Sequence, residues 1–266
     1  MARDPLFLST AIEAAINAGR THKKYFRQDV AVQKKGPIDL VTAADLEVER
    51  EFRQLIAGRF PAHVVLGEEQ GTSADERAAS HRWIIDPVDG TTNFAHGIAL
   101  FCVSIALEID GRLEVGVVYD PMADELFSAE RGQGARLNGS PMRVTDGDQL
   151  IDALLCTGFP YSVHTERQTR VDVFGALLGQ AQGIRRLGSA ALDLCYVAAG
   201  RFDGFWEDGL QAWDMAAGVL LVEEAGGRVS GYDDEPLDIF RRRLIASNGK
   251  LHGAMVQAIN QAQRPA

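Results

Sequence analysis

The residue pattern predicts a layered α/β fold, and three observations carry the prediction. Two amphipathic helical stretches open the chain, a β-rich meander runs from Cys102 to Val144, and from Leu154 onward short apolar strands alternate with helices. Such alternation packs helices against the faces of a sheet. Apolar residues make up 46% of the 266, enough for a substantial core in one large domain or two tightly joined halves.

The first helix is expected after Asp4-Pro5, an N-cap followed by proline at the first helical position. It runs towards Arg27 with Leu8, Ile12, Ala15 and Ile16 on one face. A short strand follows near Val30 to Lys34. Thr42-Ala43-Ala44-Asp45 reads as a capping box with an acid at its third helical position. Val48, Phe52, Leu55 and Ile56 form the buried stripe of the second helix, which Pro61 ends. Val64-Val65-Leu66 is a strand closed by Gly67-Glu68-Glu69. Trp83-Ile84-Ile85 is a core strand, and Pro87, which donates nothing to a ladder, marks where the chain leaves the sheet.

Asp110-Gly111 is a hairpin signal between Val103–Ile109 and Leu113–Tyr119, and Asn138-Gly139 marks a later tight turn. The second half reads as strand Leu154–Thr157, helix Thr165–Leu178, strand Ile184–Leu187, helix Ser189–Ala199 and strand Asp203–Trp206. Helix Trp213–Ala225, strands Arg228–Ser230 and Leu244–Ala246, and a last helix from Leu251 complete it. No linker rich in Pro, Gly or Ser separates the halves.

Composition narrows the function. A formal charge of −10 argues against direct nucleic-acid binding, which needs a basic patch whose counterions are released. Arg241-Arg242-Arg243 is the one dense basic run and reads as a solvated edge. Met1 to Arg20 carries Asp4, Glu13 and Arg20 among its apolar residues, unlike a signal or membrane helix, so a cytoplasmic location is the default expectation. Cys102, Cys156 and Cys195 are widely separated and expected to be reduced, buried and chemically idle.

The chemistry gathers on acids at chain turns: Glu68, Asp86, Asp89 and Asp214. Taken alone, Asp214 at a helix start is a cap, and Glu68 a loop charge. Asp86 and Asp89 are harder to dismiss, because a Trp-Ile-Ile strand carries the first directly out of the core. Two carboxylates about 4 Å apart repel by roughly 4 kcal/mol at an effective dielectric near 20. A divalent cation removes that conflict, and an all-oxygen donor set favours Mg²⁺, with Mn²⁺ a second candidate, over zinc. The amides of Gly90, Thr91 and Thr92 open a helix suited to an anion.

Lys34-(x)4-Asp39-Leu40-Val41-Thr42-(x)2-Asp45, Gly67-Glu68-Glu69, Asp86-Pro87-Val88-Asp89-Gly90-Thr91-Thr92-Asn93-Phe94 and Trp213-Asp214-Met215-Ala216-Ala217-Gly218 together resemble the inositol monophosphatase family, in order and separation. Gly188-Ser189-Ala190-Ala191-Leu192-Asp193-Leu194 is similar to its bacterial members. The resemblance implies one domain over 1–266, folded as an αβαβα five-layer sandwich of the inositol monophosphatase/fructose bisphosphatase type. Within it an α+β half would cover about 1–150 and an α/β half about 151–266.

For the site, the resemblance implies one Mg²⁺ on Glu68, Asp86 and the Val88 carbonyl, a second on Asp86, Asp89 and Asp214, and a weaker third near Glu68. It also implies that Thr91 and Asp45 position the attacking water, that Lys34 lies in the outer electrostatic shell, and that Asp89, Glu207, Ser189, Ala190 and Arg185 meet the substrate. Gln211 stands where some members carry histidine.

The expected activity is therefore hydrolysis of a small-molecule phosphate ester, first of all myo-inositol 1-phosphate, by a lithium-sensitive homodimer. Histidinol phosphate, fructose 1,6-bisphosphate, NADP and adenosine 3′,5′-bisphosphate fit the same chemistry. A rival from another class is a regulatory protein that keeps this fold and binds the transcription machinery, for which a protein partner is compatible with the acidic charge.

Overall fold

The computed structural model describes residues 6–28, 32–34, 40–71, 79–160, 163 and 167–263. The Asp4-Pro5 cap, Asp39 and most of the 30–39 segment lie outside them. Two helices, α1 (Leu6–Tyr25) and α2 (Ala43–Arg59), flank a small hairpin of β1 (Val32–Lys34) and β2 (Leu40–Thr42). A seven-stranded sheet follows, in the order β3 (Val64–Gly67), β4 (His81–Asp89), β5 (Cys102–Ile109), β6 (Arg112–Asp120), β7 (Glu125–Glu130), β8 (Ala135–Leu137) and β9 (Ser140–Pro141). Among the described residues of this sheet, β3 and β4 pair in parallel and the other neighbours antiparallel.

The second sheet has the order β11 (Gly183–Arg185), β10 (Leu154–Thr157), β12 (Gly204–Asp208), β14 (Arg243–Ser247) and β13 (Arg228–Ser230). Helices α3 (Thr91–Ala95), α4 (Arg167–Leu178), α5 (Ala190–Ala198), α6 (Ala212–Glu224) and α7 (His252–Ala262) complete the chain.

Strand alternation sorts these elements into five layers, because successive side chains leave a strand on opposite faces. On β4, Trp83 and Ile85 join a core with Ala11, Ala15, Val48 and Phe52 of α1 and α2, whereas Ile84 joins the core built around α5 and α6. On β14, Leu244 and Ala246 face α5 and α6, and Ile245 faces Leu177 and Met255 of α4 and α7. The layers are thus α1/α2, seven-stranded sheet, α5/α6, five-stranded sheet and α4/α7, the expected αβαβα sandwich.

The hairpins turn where their residues dictate: Asp110-Gly111 and Asn138-Gly139 take positive φ at both positions. Two expectations change. Ile16 is exposed, because α1 lays the small residues Ala11, Ala14, Ala15 and Ala18 on the sheet and approaches it more closely than an isoleucine stripe would allow. Nor does the chain leave the sheet at Pro87. A register shift between Asp86 and Asp89 absorbs the proline as a bulge, and β4 continues to Asp89.

Candidate active site

The bulge decides where the acids go. Parallel pairing ends with Gly67 opposite Ile85, so Glu68 leaves β3 beside the point where Asp86 begins the irregular stretch of β4. Gly90 then caps α3 at φ +96°, in the left-handed region, and its Cα faces the carbonyls of Leu100 and Gly188. Across the fold, α6 begins after Gln211 and carries Asp214 in its first turn. Glu68, Asp86, Val88, Asp89, Gly90, Thr91, Thr92, Ser189, Ala190, Glu207 and Asp214 all line one cavity of about 420 Å³.

Each strand or helix acid is fixed through one carboxylate oxygen. The Val88 N–H donates to Asp86 Oδ1 at 3.0 Å, and the Gln211 N–H to Asp214 Oδ2 at 2.7 Å. Asp89 Oδ2 accepts from Ser189 Oγ at 2.6 Å and from the Ala191 N–H at 2.7 Å. All three line the shared cavity. Burial, then the charges of Glu68, Asp89 and Asp214, push Asp86 well above the usual carboxylate range. Burial, then Asp89, does the same to Asp214, and Asp86 and Asp214 lie within hydrogen-bonding reach of each other. Burial also raises Asp89, against its hydrogen bonds from Ser189 and Ala191.

These buried, mutually repelling oxygens suit a hard divalent cation. Among the described residues, no three His, Cys, Asp or Glu side chains are grouped around one ion position; Asp86 and Asp214 are held by nearby backbone amides, and Asp89 by the Ser189 hydroxyl and the Ala191 amide.

Asp45, fully buried in the first turn of α2, accepts from the Thr42 N–H at 2.8 Å and the Thr42 hydroxyl at 2.5 Å, the capping box read from the sequence. Its other oxygen is 3.5 Å from Thr91 Oγ1, which donates at 2.8 Å to the Val88 carbonyl. Burial raises Asp45 to about 7.

Glu207 lies buried on β12, against the Cα of Gly158, and is pushed well up by burial and then by Asp193. Ser189 lines the cavity with its hydroxyl engaged by Asp89. Arg185 does not line it: the side chain is exposed and turns to its neighbour's carbonyl, while Arg186, one residue on and past the end of β11, lines the cavity. Lys34 ends β1, and its side chain lies outside the described residues.

Several contributors were given no role by the sequence. Arg242, from the run read as a solvated edge, lines the cavity and donates to the Gly209 carbonyl at 2.9 Å. Asn93 joins the two halves, donating to the carbonyls of Leu100 and Leu187 at 2.8 and 2.9 Å. His22 Nε2 bonds the Pro87 carbonyl at 2.8 Å and so braces the bulge. The three cysteines are free and buried, as expected.

A five-layer sandwich with an acid-lined cavity at the joint of its sheets describes a class of phosphatases, and comparison with known proteins agrees. The family model described as the Inositol monophosphatase family matches residues 6–264, and the chain belongs to that family. It is 47% identical to an inositol-1-monophosphatase of Rhizobium meliloti over 100% of this chain and 98% of the relative. It is 44% identical to a protein of Pseudomonas aeruginosa named Nus factor SuhB, over 95% of each. The solved structure of extragenic suppressor protein suhB from Bartonella henselae superposes with a TM-score of 0.90 at 42% identity, covering 95% of this chain and 98% of that one.

Proposed function

We propose that this chain is a Mg²⁺-dependent phosphomonoesterase of small polyol phosphates, with myo-inositol 1-phosphate its leading substrate. The observation that supports this most is the convergence of Glu68, Asp86, Asp89 and Asp214, from three separate segments, on one cavity beside the amides of α3. Glu68, Asp86 and the Val88 carbonyl would hold one ion, and Asp86, Asp89 and Asp214 a second, with a third near Glu68. Mn²⁺ would serve the same oxygens. Bound divalent ions would supply charge neutralisation of the phosphate and a lowered pKa for the attacking water.

The chain's own residues would do the rest. Thr91 Oγ1, with its proton on the Val88 carbonyl, presents lone pairs to the attacking water, and Asp45 Oδ1 is the nearby acceptor for the proton released. The amides of Gly90, Thr91 and Thr92 receive phosphate oxygens. Glu207 accepts from substrate hydroxyls, Arg186 and Ala190 bound the same space, and Ser189 holds Asp89 in place. Lithium inhibition and a homodimer accompany this reading.

Phosphate release should be measured from inositol 1-phosphate, histidinol phosphate, fructose 1,6-bisphosphate, NADP and adenosine 3′,5′-bisphosphate, each with Mg²⁺ and with EDTA. Inositol 1-phosphate is expected to lead; failure of every ester rejects the enzyme reading. The name of the Pseudomonas relative favours one second reading, binding to the transcription machinery. Pull-down that survives Asp86→Asn would support it as a separate function.

A further inference from the structure

Helix α2 carries a polar stripe of Asp45, Glu49 and Arg53 at four-residue spacing, so all three lie on one face. Asp45 reaches Thr91. Glu49, one turn on, has a side chain with 0% exposure and faces the turn after β3. Its two oxygens accept from the Glu69 N–H at 2.8 Å and the Gln70 N–H at 3.1 Å. Arg53 Nε donates to Glu49 Oε1 at 2.9 Å, and the same guanidinium reaches the Val65 carbonyl at 3.1 Å and the Gly71 carbonyl at 2.7 Å. The stem is closed by the Gly71 N–H on the Gly67 carbonyl at 2.9 Å. A Cβ on Gly67 would stand 2.5 Å from the Glu49 carboxyl carbon, so the strand end and the acid are fitted to each other.

Glu68 is therefore held on both sides by one buried carboxylate. Gly67 before it packs on Glu49, and Glu69 after it donates to Glu49. We propose that Glu49, locked by Arg53, is a positioning residue that sets the site's affinity for divalent metal by fixing the turn bearing Glu68. The inference rests on the reading of Glu68 as a ligand. A buried carboxylate is costly unless its lone pairs are filled, and here two amides and a guanidinium fill them. The turn gains a rigid frame that its own short length does not supply.

The test uses the full chain, stripped of metal and titrated with Mn²⁺, with free Mn²⁺ read by electron paramagnetic resonance and amide exchange read by mass spectrometry. In Glu49→Gln the new NH₂ group meets donors where an acceptor is needed. Mn²⁺ binding should weaken about ten-fold or more, exchange at Glu69 and Gln70 should quicken, and exchange in β12 should stay unchanged. Turnover should recover towards wild type at saturating metal, which lost folding alone would not produce.

If Glu49→Gln does not fold, Arg53→Lys keeps the charge and loses the fork that spans Val65 and Gly71. It should bind Mn²⁺ with an affinity between wild type and Glu68→Gln. Wild-type Mn²⁺ affinity in Glu49→Gln, or in Arg53→Lys where that is the folded variant, overturns the inference if Glu68→Gln binds weakly. Unchanged affinity in Glu68→Gln overturns the ligand reading instead.

Discussion

In the proposed reading Glu68, Asp86, Asp89 and Asp214 carry the chemistry, and burial makes the charged forms of the last three costly when metal is absent. Replacing Asp89 or Asp214 by Asn removes a charge and keeps an oxygen for the Ala191 or Gln211 amide. Either change should lower kcat at saturating Mg²⁺ by at least about a hundredfold, beyond the loss typical of a ligand's outer partner. The melting temperature in EDTA should hold or rise. Wild-type turnover in either variant would remove that acid from the mechanism.

The same burial fixes a pH dependence. The folded pKa of Asp45 is raised from an ordinary 3.8 to about 7. Its contribution is thus fully present below the unfolded value and lost as pH rises through about 7. Asp86, Asp89 and Asp214 shift in the same direction. Buried His22 and His252, both lowered from 6.5 to about 4, pull the opposite way, with their effect confined below 6.5. Protein in EDTA should therefore melt at falling temperature as pH rises above 6.5, and calorimetry showing a rise across that range would contradict the assignment.

These acids were legible in the sequence because each sits at the end of an apolar run or at a helix start. Glu49 was not, since an acid in mid-helix beside Arg50 and Glu51 reads as a solvated charge until the turn that it holds is seen.

At the scale of elements, hydrophobic period and turn chemistry located the helices and strands well. The errors came where tertiary packing overrides period. Small residues rotated the buried face of α1, and the bulge carried β4 past a proline. The pocket arginine fell one residue from its expected place: Arg186, just past the end of β11, lines the cavity, and Arg185 does not. The β4–α3 corner depends most on Gly90. Gly90→Ala would put a Cβ 3.1 Å from the Leu100 carbonyl in a left-handed conformation. That conformation costs an L-residue about 1–2 kcal/mol, or about 2–8 °C in Tm. Thermal melts should show the drop together with weakened phosphate inhibition; an unchanged Tm would mean the corner relaxes without strain.

Across the whole molecule, the two sheets meet over α5 and α6, and the cavity lies where the end of β4, the start of α6 and β12 converge. Alternation in the sequence pointed to layered α/β packing and the family resemblance to the five-layer order, but the pairing of β3 with β4 and the reach of Asn93 to Leu187 were not legible, being contacts between distant segments. A site assembled from so many segments should couple metal to global stability. Mg²⁺ at about a hundred times its dissociation constant should add about 2.7 kcal/mol, and Asp214→Asn should lose most of that gain in a thermal-shift titration.

The most direct measurement is phosphate release from myo-inositol 1-phosphate by protein freed of metal and titrated with Mg²⁺, wild type beside Asp214→Asn. The expected result is no release in EDTA, saturable release as Mg²⁺ is added, and near-total loss in the variant. Release that ignores Mg²⁺, or that survives Asp214→Asn, would contradict a shared cation cage.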